Sequence, residues 1–174
     1  MTDDERLPDP IASARALPRG SLVILRARQS EHREALAAAL KTVAREKGLL
    51  LSIANDAALA SKIAAHGLHL SQTRAHEAAH WRGLRPSWFI TCAAHSLGAA
   101  ARAFSFGADA VLLSPVFATQ SHPGRAPLGA LRLRLLAAHL GRPVYALGGI
   151  TPATARRLDG AGLAGLAAVG ALAA

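Results

Sequence analysis

The clearest chemical signal in this chain is the glycine pair Gly148–Gly149, which directly follows the apolar stretch Pro143–Leu147. The stretch is too short for a helix and predicts a buried strand. Thr151 and Pro152 come next, and these are residues that cap and begin helices. Glycines let backbone N–H groups approach a ligand, and a helix start favours negative charge. The segment therefore predicts a site for an anion.

A second group of polar residues follows another apolar strand, Asp109–Leu113, which Gly107 introduces. The loop after this strand carries the hydroxyls of Thr119 and Ser121 and the imidazole of His122. Hydroxyls donate hydrogen bonds to phosphate oxygens, and an imidazole exchanges a proton near neutral pH. Together with the glycine pair, these residues indicate a site for a phosphate ester.

The elements that must position these residues alternate along the whole chain between short apolar strands and amphipathic helices. This alternation predicts a parallel sheet with right-handed crossovers. The predicted strands are Ser21–Arg26, Leu49–Ile53, Gly67–Leu70, Trp88–Cys92, Asp109–Leu113, Pro143–Leu147 and Leu166–Val169. The predicted helices are Glu31–Lys47, Ala57–Ala65, Thr73 to Trp81, His95 or Ser96 to Gly107, Leu128–Leu140 and Thr151–Gly160.

Two closures of such a sheet compete, an open doubly wound sheet and a (β/α)₈ TIM barrel. The length of 174 residues argues against a barrel, which usually takes about 200 residues or more. However, the candidate polar residues follow the carboxyl ends of strands, and a phosphate site after the last strands is typical of barrels. We therefore predict a single-domain α/β barrel over residues 1–174, with a truncated or missing first strand before Thr2–Asp3.

Composition limits the location of the protein. The chain is 51% hydrophobic and 18% charged, which is typical of one globular domain with a substantial core. Its single cysteine, Cys92, excludes an internal disulfide and favours the cytoplasm. The acidic start lacks the apolar run of a signal peptide, and the apolar stretch from Gly162 to Ala174 falls short of the ~20 residues of a membrane span. We expect no membrane association, and the oligomeric state, a homo-oligomer included, stays open.

The net charge of +9 raises the alternative of a nucleic-acid-binding protein. The arginines are scattered, as in Arg132–Arg134 and Arg156–Arg157, and do not form one basic tract. Aromatic residues make up only 4% of the chain, which leaves little for base stacking. Composition therefore argues against nucleic acid and is compatible with a small anionic ligand.

With these motifs in place, the chain resembles the thiamine-phosphate synthase and TenI-like superfamily of (β/α)₈ barrels. The resemblance covers nearly the whole chain and includes IAND (53–56), GLHLSQ (67–72) and AAHS (93–96), together with the two segments above. The synthases of this family join a pyrimidine methyl diphosphate to a thiazole phosphate and release diphosphate, with Mg²⁺ assisting. The resemblance thus implies thiazole phosphate, pyrimidine diphosphate or thiamine phosphate as ligands.

The half of the family's site that binds the thiazole phosphate is largely retained. The family's paired hydroxyls correspond to Thr119 and Ser121, and its Gly-Gly-Ile to Gly148, Gly149 and Ile150. Its Ile-Ser pair after the last strand corresponds to Val169 and Gly170, so one hydroxyl is replaced by a backbone N–H.

The half that binds the diphosphate is altered. The resemblance assigns substrate-binding or catalytic roles to Arg26, Arg28, Asn55 and Asp56, of which Asp56 is a metal ligand. The family's second metal-binding aspartate is Arg74 here, its serine is Ala93, and its lysine is His122. One carboxylate is a poor Mg²⁺ site unless phosphates complete it.

Arg74 changes the local charge by two units relative to an aspartate, and a guanidinium can itself pair with a diphosphate. One hypothesis is therefore that Arg26, Arg28 and Arg74 bind the diphosphate with little dependence on metal. The alternative is a catalytically degenerate or TenI-like barrel that binds a phosphorylated thiazole or thiamine without synthase turnover. The histidine of the TenI-like tautomerases is replaced by Pro115, and His122 follows in the same loop.

Overall fold

The computed structural model describes residues 1–4, 6–26, 32–119, 124 and 126–169. Within these residues, parallel strands alternate with helices, as the sequence predicts. The strands are Leu22–Leu25 (β1), Leu50–Ala54 (β2), Gly67–Leu70 (β3), Phe89–Ala94 (β4), Ala110–Leu113 (β5), Val144–Leu147 (β6) and Gly165–Ala167 (β7). All seven predicted strands are present; β3 has the predicted bounds, and the ends of the others differ by at most two residues.

The helices lie between the strands. They are Pro10–Arg15 (α1), Arg33–Lys47 (α2), Ala57–Lys62 (α3), Glu77–Leu84 (α4), Leu97–Ser105 (α5), Ala130–Leu140 (α6) and Pro152–Ala155 (α7), with 3₁₀ turns at Gln72–Arg74 and Arg156–Leu158. Three predicted helices differ from the structure. Helix α3 ends at Lys62, the segment from Thr73 to Trp81 divides into a 3₁₀ turn and α4, which continues to Leu84, and Thr151–Gly160 divides into α7 and a 3₁₀ turn.

Helix α1 was not predicted from the sequence. The side chain of Asp9 accepts a hydrogen bond from the N–H of Ala12, and Pro10 occupies the first turn. Both features are local signals of a helix start. The described residues before β1 contain no strand, and Thr2 instead donates its N–H to the carbonyl of Ile24 on β1. The expectation of a missing first strand is therefore correct.

The chain forms two compact units, which we describe separately. Unit 1 comprises Met1–His69, Ser87–Phe89 and Val169. In this unit β1 pairs in parallel with β2, and β2 with β3, with Leu25 opposite Ile53 and Ala54 opposite His69. The fully buried aliphatic side chains of unit 1 include Leu25, Leu51, Ile53 and Leu68.

Unit 2 comprises Leu70–Pro86 and Ile90–Ala168. It contains the parallel pairs β4–β5, β5–β6 and β6–β7. Strand β5 is buried along its whole length, which explains why it reads as a continuous apolar run in the sequence. The organisation of residues 1–174 as a single domain stays a prediction.

Asp109 has a structural role at the amino end of β5. Its carboxylate accepts a 2.7 Å hydrogen bond from the N–H of Ile90 and pairs with the guanidinium of Arg82. We expect Asp109→Ala to lower the free energy of unfolding by about 2 kcal/mol, since a partly buried N–H and a guanidinium lose their acceptor. Urea unfolding would measure this, with Asp159→Ala as a charge-matched control at an exposed position of the same unit. Equal losses for both variants would contradict the assignment.

Candidate functional site

The glycine pair of unit 2 lies against the backbone that follows β5. Gly148 and Gly149 have φ angles of +95° and +66°, which side-chain-bearing residues rarely adopt. A Cβ on Gly149 would lie 2.6 Å from the carbonyl oxygen of Ala118 and 2.7 Å from the Cβ of Phe117. Both the backbone angle and the close contact therefore require glycine at position 149.

Two hydrogen bonds hold the loop after β5 onto this glycine pair. The N–H of Val116 donates to the carbonyl of Leu147, and the N–H of Phe117 donates to the carbonyl of Gly148, each at 3.0 Å. The carbonyl oxygens of Leu147 and Gly148 thus already accept hydrogen bonds from the protein. Backbone N–H groups of a glycine pair suit an anion.

The predicted helix start after the glycine pair is present. Thr151 is the N-cap of α7, Pro152 is in its first turn, and Thr151 and Thr154 form a reciprocal capping box. The hydroxyl of Thr154 also donates a 2.8 Å hydrogen bond to the carbonyl of Gly149, which fixes the turn. Because α7 has only four residues, its dipole is small. We therefore assign the anion preference to the glycine backbone rather than to the helix.

The loop that was expected to supply the paired hydroxyls is described at both of its ends. The N–H groups of Leu128 and Gly129 donate to the carbonyls of Pro115 and Val116 at 3.0 and 2.9 Å. These bonds bring the start and the end of the loop together. Thr119 is half-buried within it, whereas Ser121 and His122 lie outside the described residues, so their predicted roles stay predictions.

A cavity of about 260 Å³ lies in unit 2 beside the ends of β4 and β5. His95, Ser114, Pro115 and Arg132 are among its lining residues. The Nδ1 of His95 lies 2.8 Å from the carbonyl oxygen of Ser114, so this nitrogen carries the proton and donates it. The N-cap of α5 is Ser96, whose hydroxyl accepts from the N–H of Ala99. The sequence does not indicate Ser114 as a partner of His95, because the two residues are 19 positions apart.

In unit 1, Arg26 pairs with a carboxylate from the start of the chain. Its guanidinium contacts Asp3, and Asp3 also accepts a 2.6 Å hydrogen bond from Arg6. The hydrogen bonds from Arg6 and the charge of Arg26 hold the pKa of Asp3 far below its usual range. Asp3 is therefore an anion at all ordinary pH values and partly compensates Arg26. Arg28 lies outside the described residues.

Asn55 and Asp56 form the turn between β2 and α3. Asn55 has a φ of +55°, and its N–H donates to the carbonyl of His69 at 2.8 Å. Asp56 is the N-cap of α3, and its Oδ1 accepts a 2.9 Å hydrogen bond from the N–H of Leu59. Its Oδ2 lies 3.6 Å from the Nη1 of Arg33, which sequence analysis had not considered. Asp56 thus has structural partners on both oxygens.

Arg74 in unit 2 has a carboxylate partner of its own. Its Nε and Nη2 donate to the two carboxylate oxygens of Glu77 at 2.5 and 2.8 Å. The hydrogen bonds from Arg74 lower the pKa of Glu77, and Trp81 contributes to this shift. The hypothesis that Arg74 binds a diphosphate therefore requires Glu77 to share or release the guanidinium.

The described residues do not fit an Mg²⁺ site by themselves. No group of three or more His, Cys, Asp or Glu side chains in the described parts of the chain could hold a metal ion. Asp56, the one retained metal-ligand position, is engaged by Leu59 and Arg33. Mg²⁺ prefers several oxygen ligands with negative charge, and here a guanidinium lies beside the carboxylate.

Cys92 has a structural role. Cys92 is buried, and burial raises the pKa of its thiol to about 12, with the charge of Asp109 contributing. It is therefore an unreactive core residue. Val169 follows β7 and is half-buried, whereas Gly170 lies outside the described residues.

No helix in the described part of the chain is long and apolar enough to span a bilayer.

His69 is buried within β3, and burial lowers the pKa of its imidazole to about 4, with the charges of the amino terminus and Arg26 contributing. The unfolded chain binds this proton near pH 6.5, whereas the native state binds it only near pH 4. The free energy of unfolding should therefore fall as the pH drops between these values, by about 3 kcal/mol at most.

The variant His69→Gln tests this pH dependence by urea unfolding across pH 4 to 7. We expect a flatter profile than that of the natural protein, while His80→Gln, at an exposed position, keeps the original slope. The pKa of His66 is also lowered by burial, so a smaller slope of the same sign should remain. An unchanged profile in His69→Gln would show that this residue is not responsible.

The chain is similar to a family model and to named proteins from other organisms. A family model described as thiamine monophosphate synthase matches residues 4–172. The putative thiamine-phosphate synthase 2 of Aquifex aeolicus is 34% identical over 132 residues, covering 75% of this chain and 70% of that protein. The thiamine-phosphate synthase of Chlorobium luteolum is 35% identical over 176 residues, covering 99% of this chain and 82% of its own.

The solved structure of a thiamine phosphate pyrophosphorylase from Pyrococcus furiosus has a TM-score of 0.81 to this chain, at 24% identity. The match covers 99% of this chain and 85% of that one. This likeness shows the fold and confirms the predicted α/β barrel class with a missing or short first strand. With a family model matched over nearly its whole length and relatives above 30% identity, the chain belongs to the thiamine monophosphate synthase family.

Proposed function

We propose that this protein binds a thiazole phosphate and joins it to a pyrimidine methyl diphosphate, forming thiamine phosphate. The observation that carries the proposal is the glycine pair after β6, packed so closely under residues 117–118 that no side chain fits at Gly149. Such packing excludes a side chain from position 149, and the backbone N–H groups of a glycine pair suit an anion. In a member of this family, the anion that suits it is the phosphate of the thiazole.

The proposed reaction breaks one bond and forms one bond. The bond between the pyrimidinylmethyl carbon and the diphosphate oxygen breaks, and the diphosphate leaves with the electron pair. The thiazole nitrogen then donates its lone pair to that carbon and forms the new N–C bond. No proton has to be moved for this step, so what the protein must supply is binding, orientation and stabilisation of the departing negative charge.

In unit 2, the N–H groups of Gly148 and Gly149 and the hydroxyl of Thr119 would hold the thiazole phosphate. We propose the same role for Ser121, Val169 and Gly170 from their positions in the sequence. His122, at the position of the family's lysine, would supply positive charge when protonated.

In unit 1, Arg26, Arg28 and Asn55 would bind the diphosphate. Guanidinium groups form charge-assisted hydrogen bonds to phosphate oxygens, and these are roughly twice as strong as neutral ones. Arg74 of unit 2 contributes to diphosphate binding only if its guanidinium leaves the carboxylate of Glu77. Mg²⁺, when bound, would neutralise the leaving group, but the engaged Asp56 gives us no basis for assigning it a ligand set.

A direct assay tests the proposal. The purified protein is incubated with pyrimidine methyl diphosphate and thiazole phosphate, with and without Mg²⁺, and thiamine phosphate and free diphosphate are measured. We expect both products in equal amounts. Stabilisation by thiazole phosphate without product would identify a binding protein that lacks turnover, and absence of both would contradict the proposal.

We also propose that residues 1–174 form one domain and that the protein works in the cytoplasm. The second proposal rests on the single, buried cysteine, which forms no internal disulfide and suits a reducing compartment.

A further inference from the structure

Arg33 lies at the start of α2, but its side chain reaches the carboxyl end of β2. Its Nη2 donates a 2.8 Å hydrogen bond to the carbonyl of Ala54, the last residue of that strand. Its Nη1 lies 3.6 Å from the Oδ2 of Asp56. The side chain is 20% exposed, so the guanidinium is held largely inside unit 1 rather than extended into solvent.

One nitrogen of this guanidinium is buried without an acceptor. The Nε of Arg33 has no hydrogen-bond partner among the residues that the structure describes. A buried donor attached to a charged group is costly when it is unsatisfied, so such groups normally have a partner. The unused N–H therefore lacks an acceptor within the described residues, and a bound anion would supply one.

The charge of Asp56 is committed to this guanidinium and to α3. Oδ1 caps the helix through Leu59, and Oδ2 is the oxygen nearest to Arg33. A divalent cation on Oδ2 would lie beside a fixed positive charge, which opposes metal binding. An anion beside the guanidinium would be attracted by Arg33 and repelled by the carboxylate of Asp56.

Strand register places a second arginine, Arg26, at the same edge of the sheet. Leu25 on β1 pairs with Ile53 on β2, so Arg26 and Ala54 are the next residues of the two neighbouring strands. Neighbouring strands lie about 4.8 Å apart. The carbonyl that Arg33 binds thus belongs to the residue beside Arg26.

We propose that Arg33 is a diphosphate-binding residue of unit 1 and that it acts there without a metal ion. Asp56 is then a positioning residue that holds the guanidinium, not a ligand of Mg²⁺. The inference rests on the proposed function, since it takes the diphosphate of the pyrimidine substrate as the anion. The family's second metal-binding aspartate is absent from this chain. Arg33, rather than Arg74, which is paired with Glu77, then supplies the positive charge in place of the metal.

Titration calorimetry with inorganic diphosphate tests this inference on the full chain, once in EDTA and once in Mg²⁺. We expect the natural protein to bind in EDTA. Arg33→Met should weaken that binding about tenfold or more, since charge-assisted hydrogen bonds are lost. Arg45→Met removes the same charge from an exposed position on the same helix and should leave the affinity unchanged. Arg33→Lys keeps the charge without the planar fork and should fall between the two.

Asp56→Asn gives a result of opposite sign under the two accounts. Asparagine still caps α3, so the fold is preserved. If Asp56 only positions Arg33, the amide oxygen of the asparagine still accepts from the guanidinium, and removal of the negative charge should leave diphosphate affinity equal or higher in both buffers. If Asp56 ligates Mg²⁺, the variant should bind diphosphate more weakly in Mg²⁺ than the natural protein does.

Binding that requires Mg²⁺, weaker binding by Asp56→Asn in Mg²⁺, or absence of diphosphate binding in both buffers would each overturn the inference. Formation of thiamine phosphate by the same preparation is measured alongside. If product forms while one of these results is found, the inference fails and the proposed function stands.

Discussion

Gly149→Ala is expected to weaken binding of thiamine phosphate about a hundredfold. A methyl group at this position would lie 2.6 Å from the carbonyl oxygen of Ala118 and 2.9 Å from the carbonyl carbon of Phe117. The backbone must move to relieve these contacts, and the N–H groups that would hold the phosphate move with it. Loss of one or two charge-assisted hydrogen bonds corresponds to a change of about this size. Titration calorimetry measures it.

Gly162→Ala is the matched control for this variant. Gly162 has a φ of +67°, close to the +66° of Gly149, but a Cβ there would meet no atom within 4 Å. The two substitutions therefore carry a similar backbone penalty and differ in the contact. We expect Gly162→Ala to lose some stability and to keep its affinity. Similar affinities for the two variants would show that the glycine pair does not contact the phosphate.

Gly67→Ala is expected to cause a large loss of stability in unit 1. A Cβ on Gly67, the first residue of β3, would lie 2.0 Å from the carbonyl oxygen of Phe89 and 2.9 Å from its carbon. Both atoms belong to backbone, so no side chain can rotate away. We expect the free energy of unfolding to fall by about 3 kcal/mol or more, at the upper end of overpacking effects. Urea unfolding, or loss of soluble protein on expression, would show it.

Gly83→Ala provides the comparison for this effect. Gly83 lies within α4, and a Cβ there would meet no atom within 4 Å. Alanine is favoured over glycine in helices, so this variant should be as stable as the natural protein or slightly more stable. If Gly67→Ala unfolds at the same urea concentration as Gly83→Ala, the close packing of β3 against residue 89 is not real.

Most of the fold could be predicted from the sequence because the signals are local. Gly48 ends α2 with a φ of +65°, and Thr151 caps α7, both at the predicted positions. The predicted continuation of α3 to Ala65 was wrong, because Ile63 leaves the helix and Ala64 takes a φ of +49°. Such a left-handed alanine leaves no trace in composition or periodicity.

The candidate site could be predicted in its residues but not in their partners. Arg26, Asp56 and Gly149 are recognisable from motifs at strand ends. Their partners are not, because Asp3 lies 23 positions from Arg26, and Arg33 lies 21 positions from the carbonyl of Ala54. By contrast, Arg74 and Glu77 are three positions apart, and spacing alone could have indicated this pair.

These partners alter the interpretation of the diphosphate half. A sequence motif treats Asp56 and Arg74 as isolated charges, whereas the structure shows each paired with a residue of opposite charge. A carboxylate that already neutralises a guanidinium differs in chemistry from one that awaits a metal. This is why the altered motif does not by itself imply a loss of diphosphate binding.

The central claim is that unit 2 recognises the phosphate group of a phosphorylated thiazole. The most direct measurement compares the affinities of thiamine phosphate and thiamine for the same protein by titration calorimetry. The two ligands differ only in the phosphate, so the ratio of their dissociation constants isolates its contribution. We predict that thiamine phosphate binds at least about tenfold more tightly, the effect of one or more charge-assisted hydrogen bonds. Equal affinities would contradict the account.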